Sequence, residues 1–134
     1  MTEAYPNIST SNSQAYKFKF KPNVVVVNLG TNDGGYIDAH SDYAERFPED
    51  YYNLLSYIRM KNPSAYIVCL YGMMGINEHV DAGIKAAIEQ MNDDKISYLS
   101  SFTPNFDSAG GHPSAAAAEH NAKLVAAHIK SILK

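Results

Sequence analysis

Apolar runs of strand length alternate three times with amphipathic runs of helix length, and that alternation leaves the chain few folds. The strand-like runs are "VVVVNL" from Val24 to Leu29, "AYIVCLYG" from Ala65 to Gly72 and "ISYLSSF" from Ile96 to Phe102. Between the first two, Glu49 to Met60 places Tyr51, Leu54, Leu55 and Ile58 at helical spacing. Between the second and third, Val80, Ile84, Ala87, Ile88 and Met91 share a helix face, and after the third Ala118, Ala122, Val125, Ile129 and Leu133 do the same. Strands joined through helices run parallel with right-handed crossovers, so a β-α-β-α-β-α unit folds as a parallel sheet covered by helices on both faces. The near-continuous apolar strands agree, because strands buried on both sides do not alternate. Residues 1–22, polar, rich in Ser and Asn and containing Pro6 and Pro22, show no period and read as an irregular lead-in. Residues 23–134 then form one α/β domain, and 134 residues leave no room for a second.

Composition removes several partners. Net charge is -3 with the lysines dispersed, so there is no electrostatic footprint for nucleic acid or an anionic membrane surface. No stretch approaches the ~18 apolar residues needed to cross a bilayer, and "MTEAYPNISTSNSQ" lacks the apolar centre of a signal peptide. Cys69, the single cysteine, lies inside an apolar run and is expected to pack there as a small hydrophobe.

In a parallel sheet of this kind, ligands bind beyond the carboxyl ends of the strands. That rim receives "GTND" after the first strand, "YGMMG" after the second and "TPNFDSAGGHPS" after the third. In this reading no helix follows "GTND" at once, and Asn and Asp are ordinary turn residues that bond their own backbone. His112 stands apart from His40, His79, His120 and His128 because it follows Gly110-Gly111 and precedes Pro113-Ser114, with Ser114 the expected N-cap of the last helix. Asp38, His40 and Asp42, with His79 and Asp81, have metal-like spacings. Hydrophilic loops produce such spacings readily and no His-Glu-x-x-His pattern supports them, so no metal is expected.

"NLGTND" resembles the third conserved block of the SGNH, or GDSL-type, esterases and lipases, and "GGHPS" before a helix resembles their last block. "IRMKNPSAYIVCLYGMMG" is similar to the acetyl-esterase branch known as carbohydrate esterase family two, whose members deacetylate plant polysaccharides. The resemblance implies a three-layer αβα, flavodoxin-like SGNH-hydrolase fold and a carboxylic ester hydrolase without cofactor. Its substrate would be a small-molecule or polysaccharide ester. It makes His112 the general base and Asn32 the oxyanion donor, with Gly30, Gly72 and Met73 shaping the substrate cleft. An amide held at a strand end lowers the barrier to an oxyanion, and Gly30 permits a sharp turn and close approach to the backbone. Secretion is implied by the resemblance alone.

Two departures qualify the implied chemistry. Many members place an aspartate three residues before the histidine, where this chain has Ala109; Asp107 is then a candidate orienter, and a main-chain carbonyl is the favoured one. The nucleophile block, a Gly-Asp-Ser ending a first strand, is not matched, and Ser9, Ser11 and Ser13 follow no strand, so no nucleophile is identified. The chain therefore looks like the later part of the hydrolase, lacking its first strands. The alternative is a non-catalytic remnant that binds carbohydrate or protein through the same cleft. A phosphate-binding flavodoxin-like module is disfavoured by the few glycines of "LGTND". The family strand order, 2-1-3-4-5, would leave the valine run as an open edge prone to self-association.

Overall fold

The lead-in contains strands that its composition does not announce. Asn7–Ser9 (β1) and Asn12–Ala15 (β2) pair antiparallel in a sheet of their own. Aromatic rings anchor this end of the chain in place of an apolar alternation. Tyr5 meets Tyr57 edge-on at 5.9 Å and Phe18 at 5.7 Å, and the Lys61 ammonium lies 5.5 Å from the Phe18 ring and 5.2 Å from that of Tyr57. The irregular lead-in expected from the sequence is thus corrected. The structure, a computed structural model, describes residues 5, 7–9, 12–104 and 111–134.

The remaining elements are β3 (Val24–Asn28), α1 (Thr31–Ala39), α2 (Tyr43–Lys61), β4 (Tyr66–Leu70), α3 (Glu78–Met91), β5 (Ile96–Leu99) and α4 (Ala115–Ile132). The three strands are parallel in the order β3-β4-β5, with Val24 opposite Tyr66 and Ile67 opposite Ile96. The expected alternation of strand and helix is present, with α1 as an addition. α1 begins directly after "LG" and takes in "TND" itself, which corrects the reading that no helix follows "GTND" at once. α2 begins at Tyr43 rather than Glu49 and carries Pro48 inside it. Proline removes one hydrogen bond to the preceding turn, and the complete burial of Phe47 and Tyr51 on either side offsets that loss.

Period-two alternation along the strands assigns the two faces. Val25 and Val27 of β3, Ile67 and Cys69 of β4, and Ile96 and Tyr98 of β5 pack toward Phe47, Tyr51, Leu54, Leu55 and Ile58 of α2 and Val80, Ile84 and Ala87 of α3. α2 and α3 approach closely because Gly83 has no side chain; a Cβ there would stand 2.6 Å from Phe47 Cδ1. Burial pushes the Cys69 thiol up to about 11, which keeps it protonated and inert. On the opposite face Val68 and Leu70 are buried, and α4 is tied to β5 by a 2.8 Å hydrogen bond between Ser97 Oγ and His128 Nε2. Asn121 adds a two-way clamp on the Thr103 backbone, accepting from its N–H and donating to its carbonyl, both at 3.3 Å. No described helix is long and apolar enough to cross a membrane.

β3 has β4 on one side and, among the described residues, no strand on the other. Val26 is 45% exposed there, and Phe20, 73% exposed, joins Val24 to Val26 around a hollow of about 350 Å³. An uncharged β-branched edge is a template for another strand. The chain is expected to self-associate with rising concentration, and Val26→Lys to return it to monomer in light scattering. A strict monomer of the unmodified chain at high micromolar concentration would count against this edge as the cause.

Candidate active site

β3 ends at Asn28, and the chain turns into α1 through Gly30, whose φ of 122° favours glycine. A side chain there has no room, since a Cβ would stand 2.9 Å from Val80 Cγ1 and 3.3 Å from two ring carbons of Tyr71. The first helical bond runs from the Gly34 N–H to the Gly30 carbonyl at 2.9 Å. The N–H groups of Thr31, Asn32 and Asp33 therefore have no helical carbonyl to bond, and glycine at the N-cap offers no capping side chain. The positive end of the α1 dipole opens at this turn.

That turn forms one wall of a cleft of about 440 Å³, reached by Asn28, Gly30, Thr31, Asn32 and Asp33. Met73 and Met74, from the loop after β4, form the second wall, and His112 closes it from the segment before α4. His112 is positioned by the start of that helix. Ser114 is the N-cap, its Oγ accepting from the Ala117 N–H at 3.2 Å, and Gly111 turns the chain at φ 73°. Asn28 Nδ2 lies 3.8 Å from Met73 Sδ and links two walls across the floor.

Four of the residues expected at the site, Gly30, Asn32, Met73 and His112, thus line one cleft. Gly72 does not, and this corrects its assignment to the cleft. It is buried, at φ 102°, and a Cβ on it would meet Ile76 Cγ1 at 3.1 Å and the Ser100 carbonyl oxygen at 3.3 Å. Its glycine serves the turn behind Met73. Asp107 lies outside the described residues. Sequence reasoning left Thr31 without a role and missed Asn28, Leu29 and Met74; the signal for all of them was position, at the carboxyl end of a strand. No serine or cysteine is among the described residues lining the cleft.

The acidic and imidazole groups nearby have other partners. Asp38 accepts from Asn77 Nδ2 at 2.9 Å, His40 Nδ1 is 3.1 Å from the Tyr36 carbonyl oxygen, and Asp81 accepts from Lys85 Nζ at 2.6 Å and the Tyr98 hydroxyl at 2.7 Å. The described residues hold no group of three or more side chains suited to a metal.

Burial raises the Asp33 carboxyl above its ordinary 3.8, with the charge of Asp50 adding to the effect and a bond to its own backbone N–H opposing it. A carboxyl raised on folding favours the protonated folded state; that contribution is complete below the unfolded value and is lost as pH rises through the folded one. At neutral pH the charged Asp33 therefore costs stability. Asp33→Asn is expected to melt at a higher temperature than the parent at pH 7, the advantage vanishing near pH 3. An equal gain at both pH values would assign the effect to something other than charge.

With this geometry in place, the comparison with known proteins is specific. The chain is 34% identical over 125 residues to the cellulase/esterase CelE of Acetivibrio thermocellus, a match covering 86% of this chain. A family two carbohydrate esterase from Clostridium thermocellum, solved in complex with cellohexaose, is 28% identical and superposes over 98% of this chain with a TM-score of 0.79. The resemblance is to the family-two carbohydrate esterases. A family 2 enzyme from Corynascus thermopiles, 22% identical, shares the fold with a TM-score of 0.78 over 99% of this chain. No protein-family model matches the chain. The chain spans 15% of the length of CelE and 42% and 45% of the two solved family-two esterases.

Proposed function

We propose that this chain carries the base and oxyanion side of a site that hydrolyses acetyl esters of carbohydrate. The observation that carries the reading is that Asn32 and His112, from segments 80 positions apart by number, line one cleft at the carboxyl end of an edge strand. A serine nucleophile would arrive on a strand paired to the open side of β3, which ends at this cleft. The serine oxygen attacks the acetyl carbon while the His112 imidazole takes the hydroxyl proton. The carbonyl electrons move onto oxygen, and the Asn32 amide, with the N–H groups of Thr31 and Asn32 at the positive end of the α1 dipole, stabilises that charge. His112 then gives the proton to the departing sugar oxygen, and water releases acetate by the same steps in reverse order.

The test is nitrophenyl acetate hydrolysis by this chain alone and by the chain joined to a Gly-Asp-Ser strand and helix. Alone, it should be no faster than free imidazole, because a base without a nucleophile lacks the covalent route. Joined, it should turn over and lose activity to a serine-directed phosphonate. Phosphonate-sensitive turnover by the chain alone would place the nucleophile within it. The absence of a serine among the described cleft residues favours one second reading, a non-catalytic carbohydrate-binding or protein-binding module, which joined chains without turnover would support.

A further inference from the structure

α4 meets the rest of the molecule lightly for a helix of its length. Between Ala115 and Ile132 its buried residues are Ala117 and Asn121. Toward its far end His128 Nε2 is bonded to Ser97 Oγ of β5 at 2.8 Å. Nearer its start stands Asn121, an amide 1% exposed in a stretch rich in alanine. We propose that Asn121 is a positioning residue for His112: by gripping the Thr103 backbone it fixes the first turns of α4, and with them the place of His112 in the cleft. His112 acts there as the base on the esterase reading, on which this role for Asn121 rests.

Both sides of the grip are anchored. Thr103 follows β5, whose last residue, Leu99, accepts from the Tyr71 N–H at 3.2 Å, and the Phe102 N–H then bonds the Ser100 carbonyl at 2.9 Å. That carbonyl oxygen stands 3.3 Å from where a Cβ on Gly72 would be, behind the turn that carries Met73. Thr103 thus belongs to the rim on which the methionine wall of the cleft is built. On the helix side, Asn121 lies about two turns beyond the Ser114 cap, on the face of Ala117. Ser114 holds that first turn through its Oγ, which accepts from the Ala117 N–H at 3.2 Å, and its carbonyl, which accepts from the Ala118 N–H at 2.9 Å. His112 is two residues before the cap. The Asn121 amide therefore joins the rim to the helix start that presents His112.

The chemistry of the side chain explains why an amide stands here. Its Oδ1 accepts from the Thr103 N–H and its Nδ2 donates to the Thr103 carbonyl, both at 3.3 Å. Such bonds add modestly to net stability, whereas a buried amide left without them is costly. A leucine at this position would tolerate a helix that slides or tilts on the sheet. Asn121 does not, because a small displacement strips it of both bonds at once. Asparagine also forms helix less readily than the alanines around it, so neither propensity nor apolar burial accounts for it. A general base works only within hydrogen-bond reach of the proton it takes, and a tilted helix start would carry His112 out of that reach.

The test measures where His112 is, with no ester present. A nitroxide on Thr31→Cys, in the wall of the same cleft, should broaden the NMR signals of the His112 ring; Cys69 is buried and protonated and takes no label. Asn121→Ala should lose most of that broadening. Ser97→Ala, which removes the other polar link described between α4 and the sheet, should keep it. Asn121→Asp gives a readout that a loss of packing would not move, and it serves where Asn121→Ala does not fold. Protonated, a carboxylic acid accepts and donates as the amide does, so near pH 4 the broadening should match the parent's at that pH. Near pH 8 the ionised group cannot donate to the Thr103 carbonyl, and the broadening should be lost. Broadening in Asn121→Ala as strong as the parent's, an equal loss in Ser97→Ala, an Asn121→Asp signal that ignores pH, or no broadening in the parent overturns the assignment. If His112 moves as expected while the chain joined to a serine-bearing strand never turns over, the positioning by Asn121 stands and the esterase reading falls.

Discussion

Alanine at Gly30 is expected to cost this chain about 2–5 kcal/mol, a large share of the roughly 5–15 kcal/mol that holds a domain folded. Two separate penalties meet at this position. The φ of 122° is strained for any residue with a Cβ, and that Cβ would stand 2.9 Å from Val80 Cγ1 in a place where Val80 is itself fully buried. Neither neighbour can retreat cheaply. Val80 belongs to the core beneath α3, and Tyr71 is held by its hydroxyl, which accepts from the Asn77 N–H at 3.0 Å. For a chain of this size the loss should lower the melting temperature by roughly 10–20 °C in circular dichroism. Gly35→Ala is the control, since it adds the same methyl group to the same helix in open space and should leave the melt unchanged or slightly higher. A Gly30→Ala protein melting within a few degrees of the parent would mean that the turn relaxes, and that Gly30 is not what positions Asn32.

The contrast between those two glycines shows how far the sequence could be read. β3, β4 and β5, and the helices α2, α3 and α4, were legible because each buries a run or stripe with a clear period, and Ser114 was legible as a cap because it precedes a helix with nothing competing for its hydroxyl. α1 was not legible: only Gly34 and Ile37 are buried in it, so "TNDGGYIDA" has almost no apolar period and the helix depends on tertiary contacts. α2 was read from Glu49 because its apolar spacing is clear only from Tyr51 onward, whereas the helix runs back through Pro48 to Tyr43, with Phe47 fully buried. At the site, Asn32 and His112 were found together because parallel strands deliver their carboxyl ends to one rim. Gly72 was misplaced because a glycine needed for a backbone angle and one needed for ligand approach look the same in one sequence.

Asn32→Ala, made in the chain joined to a serine-bearing strand, is expected to lower acetyl-ester turnover about 10²–10³-fold. The fall should appear in kcat with KM little changed, because the amide meets full negative charge only in the transition state and contributes little to holding the neutral ester. The variant should melt close to the parent, since Asn32 is exposed at the first turn of α1 and its side chain enters no packed surface. That separates it from Gly30→Ala, which acts on the same turn through the fold. His112→Ala should lose at least as much turnover, and the double variant should lose much less than the product of the two losses, because base and oxyanion donor serve one transition state. Near-normal turnover of Asn32→Ala would transfer the oxyanion to the backbone N–H groups of α1 alone. In that case Asn32 is only a turn residue, and the likeness of "NLGTND" to the esterase block extends to its shape but not to its amide.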